Sequence, residues 1–318
     1  MTAVASVGTQ DPVSICEAWA RDGIQGWPET LTTAGKLRVV TAAAASGVGE
    51  IDAASFVPAS VVPQFADAEQ VLAGIDESVR IRVLTVNVRG AVRVVEAHRS
   101  VRRIDRCGIP FSASEPHNLA NLRRAHAAHK EQVAAMVDTL GAADIDPLIG
   151  VATAWGCPIQ GRVEPDTVFA LVDWAHGLGV RSIMFGDTTV MADPRGVTQL
   201  FTAAVAQWPD VDFVAHFHDN RGVGIANTLA AIEAGVRTVD ASLGGVGGEP
   251  SAVDQGDVGE SGNVVTEDLV AALQQMDVPT GIDLEALLRA GRLAEDVLGR
   301  PLHSRIQRSG PVRRTELH

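Results

Sequence analysis

His216 and His218 close an apolar run that begins at Val211. In an extended strand, residues i and i+2 point to the same face. Both imidazoles would therefore project together and could share one divalent metal ion. The alternating Val211, Phe213, Ala215 and Phe217 would face the other way, apolar enough to pack under helices. A histidine pair alone does not make a metal site, so the chain must supply further ligands. Chemistry-bearing groups recur where other apolar runs end: Arg21-Asp22-Gly23-Ile24-Gln25, Asp52 and Ser55, and Gly186-Asp187-Thr188-Thr189. A glycine-rich stretch, Gly244-Gly245-Val246-Gly247-Gly248-Glu249-Pro250, is followed by Ser261-Gly262-Asn263. Carboxylate, imidazole and amide oxygen with water suit Mg2+ or Mn2+ better than a structural zinc, which prefers sulfur-rich closed coordination. Zn2+ stays open.

These groups meet only if a fold brings strand ends together. Eight strand-like runs recur, at 13–18, 50–56, 83–88, 109–114, 148–154, 182–185, 213–218 and 238–243. Helical stretches separate them, near 34–46, 67–75, 91–107, 118–140, 165–178, 196–207 and 222–234. That alternation predicts an α/β chain folded as a (β/α)8 TIM barrel, with a short C-terminal helical extension over 266–298. In such a barrel the C-terminal strand ends form the active site, and the polar groups named above fall there. The expected organisation is a flexible tail over 1–12, a catalytic barrel with its helices over 13–298, and a flexible tail over 299–318.

Bulk properties narrow the partners. Of 318 residues, 46% are hydrophobic, enough for a large core, and the net charge is −13. That acidity argues against nucleic acid or an anionic membrane as partner. Three scattered cysteines, Cys16, Cys107 and Cys157, make neither a disulfide framework nor a four-cysteine zinc site. No run reaches the length of a membrane span and the N-terminus lacks signal-peptide character, so a cytoplasmic location is expected. His98, His117, His126, His129, His176 and His303 are expected on solvated helices or loops, and Cys157 as a structural residue. The glycine-rich stretch lacks the Lys-Ser/Thr of a phosphate-binding loop and follows the last strand, not the first, so it is no nucleotide cradle.

The same segments resemble a known family. Arg21-Asp22-Gly23-Ile24-Gln25 resembles the R-D-G-x-Q signature of the DRE-TIM metallolyases. Ser55-Phe56-Val57-Pro58 with Val62-Pro63-Gln64, Leu84-Thr85-Val86-Asn87-Val88-Arg89-Gly90 and Ala154-Trp155-Gly156-Cys157-Pro158 are similar to segments of its 3-hydroxy-3-methylglutaryl-CoA (HMG-CoA) lyase branch. Gly186-Asp187-Thr188, the run from His216 to Asp219 and Ala226-Asn227-Thr228-Leu229 complete the likeness. The resemblance implies a divalent metal held by Asp22, His216, His218 and Asn263. It implies that Arg21 stabilises an enolate, that Asp187 positions substrate or relays a proton, and that Gln25, Asp52 and Ser55 line the site. It also implies an acyl-CoA substrate, and association as a homodimer is plausible for such barrels. One departure stands out. The branch carries a cysteine in a G-G-C-P loop for acid–base chemistry, and here Glu249 takes its place, followed by an acidic insert.

The implied reaction is retro-Claisen or retro-aldol cleavage of a 3-hydroxyacyl substrate. The hydroxyl must lose its proton, the leaving carbon must depart as an enolate, and the enolate must be protonated. A divalent metal acidifies the hydroxyl, Arg21 meets the developing enolate charge, and His216 and Glu249 are the candidate base and acid. An unperturbed Glu titrates near about 4.3 against about 8.5 for Cys, so with Glu249 in the loop the substrate is expected to differ from HMG-CoA. Two other functions stay open: a Claisen or aldol condensing enzyme on the same barrel, and a non-catalytic barrel kept for binding.

Overall fold

The computed structural model describes residues 11–247 and 262–312. Eight parallel strands close into a barrel: β1 (Ser14–Glu17), β2 (Glu50–Ser55), β3 (Ile81–Leu84), β4 (Arg106–Ser112), β5 (Asp146–Ala152), β6 (Ser182–Asp187), β7 (Asp212–Phe217) and β8 (Thr238–Ala241). β1 pairs with both β2 and β8, so no edge is left open. All eight expected strands are present, and helices connect them. Both faces of a parallel barrel are covered, which is why the runs are rich in apolar residues.

Local chemistry sets the boundaries. β3 ends at Leu84, not 88, because the Asn87 side chain accepts from the Gly90 N–H and caps the helix Val88–Ser100. That helix stops at Ser100, and Arg106 and Cys107, expected as helical, open β4. The helix expected over 118–140 is two helices, Glu115–Leu122 and His126–Gly141, broken where Arg123 turns left-handed at φ 55°. The C-terminal extension likewise divides into Thr266–Gln275 and Leu284–Leu298. A short hairpin pairing Gly156–Cys157 with Gly161–Arg162 was not anticipated, and Cys157 is buried in it. Residues 302–306 fall within the expected flexible tail and are held by specific contacts. Leu302 is buried, and the Asp268 carboxylate accepts from Ser304 Oγ and from the N–H groups of Arg305 and Ile306, starting the helical turn Arg305–Ser309.

Barrels of this size are ordinarily filled by bulky inward side chains. Here small residues recur along β4, β5 and β6: Pro110 pairs with Gly150, and Ser112 with Ala152. Gly108, Gly150, Ala152 and Gly186 leave the upper barrel open as a cavity of about 450 Å³. The lower barrel is closed by a layer of charges instead of aliphatic side chains. Glu50 and Asp52 from β2, Arg82 from β3, Arg106 from β4 and Asp240 from β8 are all buried.

Candidate active site and metal centre

After β1 the chain makes a single π-helical turn, Trp19–Gly23, closed by the Gly23 N–H on the Ala18 carbonyl at 3.0 Å. Such turns are rare and recur at functional sites. This one carries Arg21 and Asp22, and both are buried. Arg21 Nε donates to Asp52 Oδ2 at 2.7 Å and Nη1 to Asp22 Oδ1 at 2.5 Å. Burial alone would raise the Asp22 carboxyl, but the adjacent Arg21 guanidinium and the two histidines outweigh it and hold it well below the ordinary carboxylate range. Asp22 is therefore an anion, as a metal ligand must be.

His216 and His218 project together, as their spacing predicts. Ligand atoms of Asp22, His216 and His218 lie within 4.8 Å of one another. His218 Nδ1 is 3.1 Å from the Thr188 carbonyl, which can only accept, so Nδ1 carries the hydrogen and Nε2 presents a lone pair. The two Nε2 atoms face each other at 3.2 Å. With a lone pair on each, both nitrogens could ligate one small divalent ion, whose neighbouring donors at about 2.1 Å each stand about 3 Å apart. The donor set thus fits a divalent metal. Asn263 joins the cluster: its Nδ2 donates to Asp22 Oδ2 at 2.7 Å and to the Val246 carbonyl at 3.0 Å. A Cβ on Gly247 would sit 1.9 Å from Asn263 Nδ2, and Gly247 is at φ +137°, so only glycine passes here.

Not every expected residue reaches the cavity. Gln25 and Asp52 line it. Ser55 is fully buried and instead closes a local turn, accepting from the Val57 N–H at 3.4 Å. Asp187 lies outside the lining too. Its Oδ1 accepts from the N–H groups of Met191 and Ala192, so it shapes the loop holding Thr188, and burial raises its carboxyl above the ordinary value. Glu249 and Ser261 fall outside the described residues. Of the six histidines expected on solvated surfaces, His117 and His129 are buried, with His129 stacked on Phe111. Sequence reasoning passed over Arg82, Asp240 and Glu50. The signal was a charged residue inside an apolar run, Ile81-Arg82-Val83-Leu84 and Thr238-Val239-Asp240-Ala241.

The HMGL-like family matches residues 12–294. The chain belongs to the HMGL-like family. Among similar proteins is the hydroxymethylglutaryl-CoA lyase of Bacillus subtilis, 32% identical over 92% of this chain and 95% of that protein. Another is the (R)-citramalyl-CoA lyase of Chloroflexus aurantiacus, 33% identical over 95% of this chain and 96% of that protein. An HMG-CoA lyase structure from Acinetobacter baumannii, in complex with coenzyme A and 3-methylmalate, superposes with a TM-score of 0.87 at 34% identity, covering 98% of this chain and 99% of that one. This HMGL-like chain is a carbon–carbon lyase. Among the described residues, no helix is long and apolar enough to cross a membrane.

Two buried carboxylates hold the HMGL-like site from below. Glu17 Oε1 accepts from the N–H groups of Trp19 and Leu243, and Glu267 Oε2 from that of Gly244 at 2.9 Å. They pin the π-turn and the start of the glycine-rich loop. Burial pushes Glu17 up to about 7 and Glu267 up to about 8. Both folded values exceed the unfolded one, so the native state binds more protons and stability falls as pH rises from about 5 to about 8. Asp22 and Asp240, held low, titrate below that window. Urea unfolding at pH 5.5 and 8.5 should show the loss, and Glu267→Gln should shrink it. An unchanged pH slope in that variant would contradict the assignment.

Proposed function

We propose that this lyase cleaves a 3-hydroxyacyl-CoA thioester by a divalent-metal-dependent retro-Claisen reaction, releasing an acyl-CoA and an oxo acid. The observation that carries this is the convergence, in one cavity, of Arg21 with Asp22, His216 and His218. These three residues, with the Asn263 amide, would hold Mg2+ or Mn2+. When bound, the cation would lower the pKa of the substrate hydroxyl and orient it with a neighbouring oxygen.

The protein groups do the rest. Arg21 spends one donor on Asp52 and one on Asp22. A guanidinium has five, so the others are left for an enolate oxygen, where fixed donors stabilise charge as it appears. His216 is a poor base in this arrangement, because Nδ1 faces Asp240 and Nε2 faces the metal position. Among the described residues, Asp52 is the other carboxylate that lines the cavity, beside Asp22. We assign it the hydroxyl proton. Burial raises its carboxyl despite Arg21 and Arg82, which favours proton acceptance. Protonation of the enolate is assigned to Glu249, which stands in the sequence where the resembling branch carries its loop cysteine. The apolar wall formed by Val57, Pro58, Val62, Leu84 and Val86 excludes water from the enolate. A cavity of about 450 Å³ takes the acyl end of a thioester, so the nucleotide end of CoA would lie across the rim.

Both lyases among the relatives are named for branched hydroxyacyl-CoA substrates with a distal carboxylate. The test is to incubate the purified protein, with Mg2+ or Mn2+, with HMG-CoA, citramalyl-CoA and longer 3-hydroxyacyl-CoAs, and to identify the thioester product by mass. A shorter acyl-CoA from at least one substrate supports the proposal. With Glu249 in the loop, the best substrate is expected to be one other than HMG-CoA. No cleavage of any member of the panel would sink the lyase assignment.

A further inference from the structure

Arg82 lies at the floor of the cavity, 1% exposed. Its Nη2 donates to Asp240 Oδ1 at 2.7 Å and touches Cys16 Sγ at 2.9 Å. The other carboxylate groups facing it are farther off: Asp52 Oδ2 is 3.7 Å and Glu50 Oε2 3.9 Å from Nε. Asp240 is fully buried, and its second oxygen, Oδ2, lies 3.1 Å from His216 Nδ1. Three strands thus contribute one chain of contacts, from β3 through β8 to β7, ending at a metal-facing imidazole.

Each link in that chain has one possible direction. A guanidinium only donates, and an ionised carboxylate only accepts. With Oδ1 engaged by Arg82, Oδ2 must accept from His216, so the ring hydrogen sits on Nδ1. The Nε2 lone pair is then the one that faces His218 Nε2 across the metal position. The hydrogen bond made by the outer ring nitrogen decides which nitrogen of a histidine can bind metal. We propose that Arg82 is a positioning residue for the metal centre: by holding one oxygen of Asp240, it orients the other to fix the His216 hydrogen on Nδ1. The inference rests on the metal-centre assignment made above. It differs from a purely structural role, in which Arg82 would only neutralise the buried Glu50, Asp52 and Asp240.

Two variants separate these roles. In Asp240→Asn the new side chain has one accepting and two donating positions. While Arg82 is present, the amide oxygen must stay on the guanidinium. The NH2 then faces His216 Nδ1, the ring hydrogen moves to Nε2, and the metal-facing lone pair is lost. Mn2+ affinity, read by titration calorimetry, should fall roughly 10–100-fold. In Arg82→Met/Asp240→Asn the amide is free to turn and accept from Nδ1 again, so Mn2+ affinity should recover most of that loss. One positive and one negative charge leave together, which avoids the bare buried carboxylate of Arg82→Met alone. A second measurement needs no double variant. Long-range proton–nitrogen NMR of the metal-free protein should report His216 with hydrogen on Nδ1 in the unaltered chain and on Nε2 in Asp240→Asn. A double variant that binds Mn2+ as weakly as Asp240→Asn, or a His216 ring state unchanged by Asp240→Asn, overturns the inference while leaving the metal centre standing. An unaltered protein that binds no Mn2+ overturns both.

Discussion

His218→Ala is expected to abolish turnover and to remove the stabilisation that Mn2+ gives against heat, with little change in the stability of the metal-free protein. The imidazole is buried, and its Nδ1 rests on a backbone carbonyl that water can satisfy once the ring is gone. Its Nε2, by contrast, faces His216 Nε2 at 3.2 Å and stands 3.8 Å from Asp22 Oδ2. Losing a hydrogen-bond partner of a ligand costs roughly 10–100-fold in metal affinity, and losing a ligand itself should cost more. Thermal unfolding with and without Mn2+ checks this directly. An undiminished Mn2+ shift in His218→Ala would show that the cation binds elsewhere.

Arg21→Met should separate charge stabilisation from metal binding. Turnover is expected to fall about 10²–10³-fold, the usual effect of removing one fixed donor from a developing oxyanion. Mn2+ binding should persist, because Asp22, His216 and His218 remain. Stability should drop as well. Arg21 is buried against Asp52, and breaking such a pair from one side typically costs about 3–5 kcal/mol. Arg21→Met/Asp52→Asn removes the stranded charge and should restore much of the stability, which separates the cost of the broken pair from the loss of turnover in Arg21→Met. If Arg21→Met lost that stability yet kept full turnover, Arg21 would be a structural counter-ion and not a stabiliser of the enolate.

Sequence and structure agree where periodicity or spacing carries the information. Eight apolar runs separated by helices lead to a closed barrel because strands buried on both faces leave that signature. His216-x-His218 places two rings on one face because a strand repeats every two residues. Asp22 and Asn263 lie 241 positions apart, and motif likeness alone brought them together; the 2.7 Å contact between them is a product of barrel closure. Other features were not legible. Nothing in the type or spacing of Ser55 and Asp187 distinguishes a residue lining a cavity from one closing a turn beside it, and both do the latter. The π-turn at Trp19–Gly23 has no period of its own. Arg82 and Asp240 were visible as charges within apolar runs, but their pairing across the barrel depends on which strands face each other through its centre. His117 and His129 sit on helices whose inward face is set by packing against β4, including the stacking of His129 on Phe111.

The most direct test is metal dependence of the cleavage itself. The protein, stripped with EDTA and dialysed, is assayed against the 3-hydroxyacyl-CoA panel, then titrated with Mn2+. No acyl-CoA product is expected from the stripped protein, and turnover should rise with Mn2+ and saturate at one ion per chain. Full turnover in the presence of EDTA, unchanged in His218→Ala, would contradict that dependence.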